Sequence, residues 1–133
     1  MRITAGNGSI SDCLDAFDYI KACIERLGCD ETPDEAFAFV LNRRDLLWRV
    51  EDDGKIVAAA ITRRIVKPNG NAEILIFAMG GKGFPKWGRA ALREIETYAM
   101  ATGCKAVTFG GRKAWRKLIP EYAFDGVWYE RTL

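Results

Sequence analysis

The sequence predicts an α/β (α+β) domain, a central mixed and mostly antiparallel sheet flanked by helices. Three observations carry this. The first third places apolar residues at helical spacing, stepping by three and four. The middle changes to β-branched runs divided by Asp53-Gly54 and Pro68-Asn69-Gly70, both turn signals. The run "AEILIFAM" is then followed by a glycine-rich loop, a second amphipathic pattern and one more apolar run, which is the layout of a β-α-β crossover.

The elements follow in order. Arg2 to Thr4 reads as a short first strand. Ser11 is placed to cap a first helix whose inward face is Cys13, Phe17, Ile20, Ile24 and Leu27, with Gly28 as its stop. Thr32-Pro33-Asp34-Glu35 is a capping box with proline at the first helical position, opening a helix to about Asn42 that buries Phe37, Val40 and Leu41. Strands are expected over Leu46–Glu51, Lys55–Val66 and Ala72–Met79. The last is apolar almost throughout, as suits a central strand covered on both faces. Pro85 to Thr102 reads as a helix with Trp87, Ala91, Leu92, Ile95, Tyr98 and Ala99 inward. Gly103 ends it, Cys104–Phe109 is a strand, Arg112–Leu118 a short helix, and Tyr122–Leu133 a terminal hairpin turning at Asp125-Gly126. The order is β-α-α-β-β-β-α-β-α-β-β. The chain has 133 residues, which suits one domain over 1–133.

Composition narrows the chemistry. The chain is 49% hydrophobic and 29% charged, as in an ordinary globule, and its net charge of +2 is too small to argue for nucleic acid or membrane. No run approaches a membrane span, and "MRITAGNGSISDC" lacks an apolar signal core, so a cytoplasmic protein is expected. Cys13, Cys23, Cys29 and Cys104 form no CxxC pair. They read as reduced thiols, and no metal site is expected. There is no histidine, which removes Ser-His and Cys-His catalysis.

The loop "GGKGFPKWGRAAL" stands between a buried strand and a helix. A helix start offers amides without internal partners, the helix dipole favours an anion there, and glycines let backbone approach it closely. Lys82, Lys86 and Arg89 add positive charge. The loop matches neither GxxxxGK[ST] nor GxGxxG. A flexible connector is the alternative reading.

Pro85-Lys86-Trp87-Gly88-Arg89-Ala90 matches the G-x-A half of Q/R-x-x-G-x-G/A, and with the element order it resembles the GNAT family of N-acetyltransferases. Proline replaces the polar first residue. The resemblance implies that acetyl-CoA is the acyl donor. Its diphosphate would meet the loop amides from Gly81 through Lys82, Gly83, Lys86, Trp87 and Gly88 to Arg89, and its pantetheine arm the backbone of Phe77, Ala78 and Met79. It also implies a bulge near Phe77 to Ala78 whose N–H polarises the thioester oxygen. Arg112 to Phe124 aligns with the family's N-x-x-A-x-x-x-Y-x-x-x-G-F, but only Phe124 and the apolar pattern agree. Arg112 stands for asparagine, Trp115 for alanine, and Ile119 for the tyrosine that serves as general acid. The ending "GRKAWRKLIPEY" is similar to short GNAT-like proteins of phages and prophages.

Glu73 is the candidate to relay the amine proton, or else a solvated carboxylate beside the Pro68-Asn69-Gly70 turn. Alternation puts Glu73, Leu75, Phe77 and Met79 on one face and Ile74, Ile76 and Ala78 on the other. Tyr122 is the substitute general acid, or a packing residue. Arg112, Lys113, Arg116 and Lys117 form i,i+4 pairs if helical. They would meet a CoA phosphate through Arg112, or make a solvated face; nucleic acid is disfavoured because no aromatic ladder accompanies them. Acids at Asp12, Asp15 and Asp18 and at Asp30, Glu31, Asp34 and Glu35 would suit a cationic acceptor or stabilise helix starts. Two readings stand. One is an N-acetyltransferase acting on a small-molecule or protein amine. The other is a weakly active or inactive GNAT-fold binding or assembly protein of phage origin, partnered with phage structural proteins in host cytoplasm or virion. The terminal hairpin leaves an edge for homodimer pairing.

Overall fold

The computed structural model describes residues 1–7, 9–28 and 30–133. The elements are β1 (Arg2–Ala5), α1 (Ile10–Leu27), α2 (Pro33–Leu41), β2 (Asp45–Asp52), β3 (Lys55–Val66), β4 (Ala72–Gly81), α3 (Phe84–Ala101), β5 (Ala106–Gly110), a 3-10 turn (Lys113–Lys117), β6 (Ala123–Phe124) and β7 (Trp128–Thr132). The strands form one sheet in the order β1-β2-β3-β4-β5-β7-β6. Only β4 and β5 run parallel, with α3 connecting them; every other pair is antiparallel.

Each face of the sheet holds its own core. On one, α3 buries Trp87, Leu92 and Ile95 against Ile74, Ile76, Val107 and Phe109. On the other, α1 and α2 bury Phe17, Ile20, Ile24 and Val40 against Leu47, Ile61 and Ala78. β4 lies between both, which is why its sequence is apolar almost throughout. Among the described residues no helix is long and apolar enough to cross a membrane.

Local chemistry sets the boundaries. Ser9, not Ser11, caps α1: its hydroxyl accepts from the Asp12 amide while the Asp12 carboxylate accepts from the Ser9 amide. The reciprocal pair outcompetes a lone serine two residues on. Thr32 and Glu35 form the expected box at α2. Asp53 and Gly54 both take positive φ, the requirement of the two-residue hairpin turn. Leu27 and Leu41 are exposed, and Tyr98 is half-exposed with its ring edge-on to Trp48 at 5.7 Å. Cys13, Cys23 and Cys104 are buried free thiols, and burial pushes the Cys13 thiol up; Cys29 lies outside the described residues.

Two departures matter for function. Residues 113–117 form a 3-10 turn, so Arg112/Arg116 and Lys113/Lys117 do not stack as i,i+4 pairs. Strict alternation also fails in β4. Ile61 pairs with Ala78 but Thr62 pairs with Ile76, so Phe77 is an extra residue. Beyond this bulge the faces exchange. Met79 joins Ile74 and Ile76 beneath α3, while Ala78 sits beneath α1.

Gly80 marks a close approach of α1 to the sheet, since a Cβ there would collide with the backbone oxygen of Tyr19. Gly80→Ala should therefore lose about 2–3 kcal/mol of stability, the cost of overpacking against backbone. Ser9→Ala should lose about 1 kcal/mol through its cap. Urea denaturation midpoints check both.

Candidate functional site

The site begins with a short ladder. β4 and β5 pair only over Ile74↔Val107, Leu75↔Thr108 and Ile76↔Phe109. The bulge bends β4 directly after that, and the strands part. The gap is a cleft of about 660 Å³ floored by Phe77, Ala78 and Met79. One wall is α1 through Cys23, Arg26 and Leu27; the other is Gly110, Gly111, Arg112, Trp115 and Trp128. A second hollow of about 380 Å³ continues past Gly80 to Pro85. Arg26, Met79, Arg112 and Trp115 line both, so the two are one channel.

The channel ends on the start of α3. Gly83, the N-cap, has φ of 77° and supplies no side-chain cap, unlike Ser9 and Thr32 in α1 and α2. Pro85 has no N–H, and the Lys86 amide folds back to the Gly83 carbonyl at 2.8 Å. Among the described residues the amides of Lys82, Gly83 and Phe84 have no protein acceptor. Unpaired amides at a helix start are suited to an anion.

The glycines differ in role. Gly81 has φ of 141°, and a Cβ there would lie 2.5 Å from the Ala58 side chain, so close strand packing demands it. A Cβ on Gly88 would lie 2.6 Å from the Phe84 ring, which folds back over it. Around Gly83 the nearest atom is 4.0 Å away, in open space. Phe84 in turn stacks on Trp115 with centroids 4.2 Å apart. Trp87 is buried and its indole donates to the Lys82 carbonyl at 2.9 Å, tying down the loop.

The structure brings some predicted residues together and separates others. Phe77, Ala78, Met79, Gly81, Gly83, Trp87 and Arg112 line the channel. Lys82 is exposed and outside it. Lys86 is drawn to Asp52 at 2.7 Å, which raises the Lys86 ammonium and lowers the Asp52 carboxyl. Arg89 turns to the Leu118 carbonyl at 3.2 Å and to Glu121 at 3.5 Å. Tyr122 lies on the α3 side, packed on Phe109. Its hydroxyl donates to Glu96 at 2.6 Å, and Arg131 donates to the other Glu96 oxygen at 2.9 Å. Ile119 is buried in that same core. Glu73 pairs with Lys67 at 3.2 Å and lines a separate groove that adjoins the cleft at Leu75 and Trp128.

Arg26, Arg63, Trp115 and Trp128 line the cleft without having been assigned there from sequence. Arg63 is held by Asp45 at 2.8 Å and by Glu31 at 3.0 Å, and its guanidinium lies 4.5 Å over the Phe77 ring. The Asp45 hydrogen bonds lead in raising its pKa. The acids near the first two helices do not gather at the cleft. Asp12 and Glu35 cap helices, Glu31 holds Arg63, and Asp15, Asp18, Asp30 and Asp34 are solvated.

No protein-family model matches the chain, and no curated protein matches it. Solved structures do. Aminoglycoside 6'-acetyltransferase type Ii superposes with a TM-score of 0.73 at 11% identity, over 99% of this chain and 97% of that one. A predicted acetyltransferase from Clostridium acetobutylicum, solved with acetyl-CoA, gives 0.68 at 14% identity, over 95% and 90%. A GNAT family acetyltransferase from Brucella melitensis in complex with acetyl-CoA gives 0.69 at 9% identity, over 99% and 88%. At these identities the likeness establishes the fold: the chain folds as the GNAT acetyltransferases do.

Burial, and next the hydrogen bond to Glu96, push the Tyr122 phenol far above its ordinary value. The folded protein therefore keeps that proton where an unfolded tyrosine, near 10, loses it. The stabilisation is complete below about pH 10 and declines as pH rises above it, by up to about 1.4 kcal/mol per unit. Tyr122→Phe should cost about 1–2 kcal/mol at neutral pH and flatten the alkaline decline. Denaturation at a series of alkaline pH values reads both.

Proposed function

We propose that the chain is one domain over 1–133 and an acetyl-CoA-dependent N-acetyltransferase. The observation that carries this is the continuity of the channel: a parted strand pair leads directly to an uncapped helix start. A chain molecule with amides along its length and a diphosphate at one end fits both parts. The residues pass that test. The β4 edge from Phe77 to Met79 is released from β5, so its backbone can bond an amide-bearing arm as a further strand would. Gly83 and Phe84 offer amides to the diphosphate, and Arg26 and Arg112 offset its charge from opposite walls.

When bound, acetyl-CoA supplies an activated acetyl thioester: the acceptor nitrogen bonds the acetyl carbon as the C–S bond breaks, losing one proton while the sulfur gains one. In this reading the backbone N–H groups at the Phe77–Ala78 bulge polarise the acyl oxygen. Glu73, in the groove that adjoins the cleft at Leu75, is the carboxylate of this reading that passes the amine proton on through water. Tyr122 serves Glu96 and the core in this reading, and takes no part in proton transfer.

One observation favours the second reading, a GNAT-fold binding or assembly protein, as in a phage particle, with little catalysis. No tyrosine lines the channel, and the Ile119 position is apolar and buried. Protonation of the leaving sulfur then falls to solvent.

Calorimetric titration with CoA, alongside tryptophan fluorescence reporting Trp115, tests the channel. Saturable binding is expected. Gly88→Asp would confound the measurement, since its Cβ meets Phe84; Gly83→Asp does not. Aspartate tolerates the left-handed backbone and brings a negative charge to the diphosphate position. Gly83→Asp should weaken CoA at least about tenfold while changing the melting temperature little. Equal affinities would show that the diphosphate sits elsewhere. Thiol release from acetyl-CoA across an amine panel separates the two readings: binding without release supports the second.

A further inference from the structure

The groove holding Glu73 lies on the sheet face opposite α3. There α1 contacts β3 and β4 and α2 contacts β2, while β5, β7 and β6 extend beyond them. Its volume is about 590 Å³, and it shares Leu75 and Trp128 with the cleft.

Register orders its lining in rows. Gly110 faces Trp128 at the cleft end; Leu75, Thr108 and Glu130 lie side by side next; Glu73 follows Leu75 outward on the same face of β4. Same-face residues are about 7 Å apart along a strand. The lining includes three carboxylates, Glu73, Asp125 and Glu130, and no lysine or arginine. Asp125 is committed to the turn, accepting from the Val127 and Trp128 amides at 2.9 and 2.7 Å, which also fixes Trp128 in place. Glu130 is exposed and has no ion pair among the described residues. Glu73, its side chain 14% exposed, is met by Lys67, whose side chain is 46% exposed. Trp128 is 50% exposed, an indole face open at the junction of groove and cleft.

We propose that this groove takes an elongated amine with more than one positive group, a linear polyamine of the spermidine kind. This deepens the acetyltransferase reading and rests on it for the chemistry, though not for the binding. One nitrogen sits at the bulge. A second, about 7 Å away along the strand direction, meets Glu130, and Trp128 covers the methylene chain between them. A monoamine of similar bulk reaches only one end.

Calorimetry on the full chain with spermidine and with butylamine decides it. Spermidine is expected to bind at least about tenfold tighter, with the difference shrinking at high salt. Glu130→Gln and Trp128→Leu should each weaken spermidine about five- to tenfold, with the CoA affinity of Glu130→Gln unchanged. Butylamine binding as tightly as spermidine, or Glu130→Gln leaving spermidine unaffected, overturns the proposal, as does a lysine-rich peptide binding where spermidine does not. CoA is titrated separately. Its failure to bind would remove the acetyl-transfer reading, and the groove's occupant would still be decided by the spermidine measurement.

Discussion

The site depends on one irregularity, the extra residue Phe77 in β4. A regular strand would have continued its ladder with β5 and closed the sheet, leaving no channel. The bulge bends β4 where the parallel pairing stops and reverses which face each later side chain occupies. The irregularity is braced. Arg63 lies over the Phe77 ring and is itself held by a fully buried Asp45 carboxylate and by Glu31 from the α1–α2 connection. Removing one partner from such a cluster strands a charge, so the bulge, β2 and the connection are fixed together.

Charge is distributed with the same economy. Much of what looks available for ligands in the sequence is used internally. Asp12 and Glu35 cap helices, Lys86 and Arg89 brace the loop against Asp52 and Glu121, and Arg131 neutralises the buried Glu96. What remains is divided by sign. Arg26 and Arg112 stand over the channel, and Glu73 and Glu130 over the groove. An anion and a cation could thus approach the same bulge from two directions.

The sequence made the element order and the crossover legible, because helical and strand periods differ and the turns carry Asp-Gly, Asn-Gly and capping-box signatures. It also made the channel's floor legible through the glycine loop and the apolar strand before it. Side-chain destinations were less so. Gly88 reads as room for a phosphate and is instead room for the Phe84 ring. Tyr122 reads as an acid near the site and is turned beneath α3 by the partner it finds, Glu96, a residue distant in sequence. Arg26, Arg63 and Trp128 had no local signature, since only the folded register brings them to the cleft. The extra residue at Phe77 has no local signature either, and the family resemblance alone implied a bulge there: bulges follow from pairing across strands, and single-strand alternation assigns Met79 to the wrong face.

The position of β7 has a consequence for assembly. It inserts between β5 and β6, and through Arg131 it reaches Glu96 on α3, 35 residues earlier. Trp128, Glu130 and one wall of the cleft arrive with it. The ligand surface is therefore built on the β4–β5 and β5–β7 pairings, and it is complete only once both have formed. A partly folded molecule could hold both helical layers and still have no pocket, so ligand binding would report completion of folding and not merely collapse.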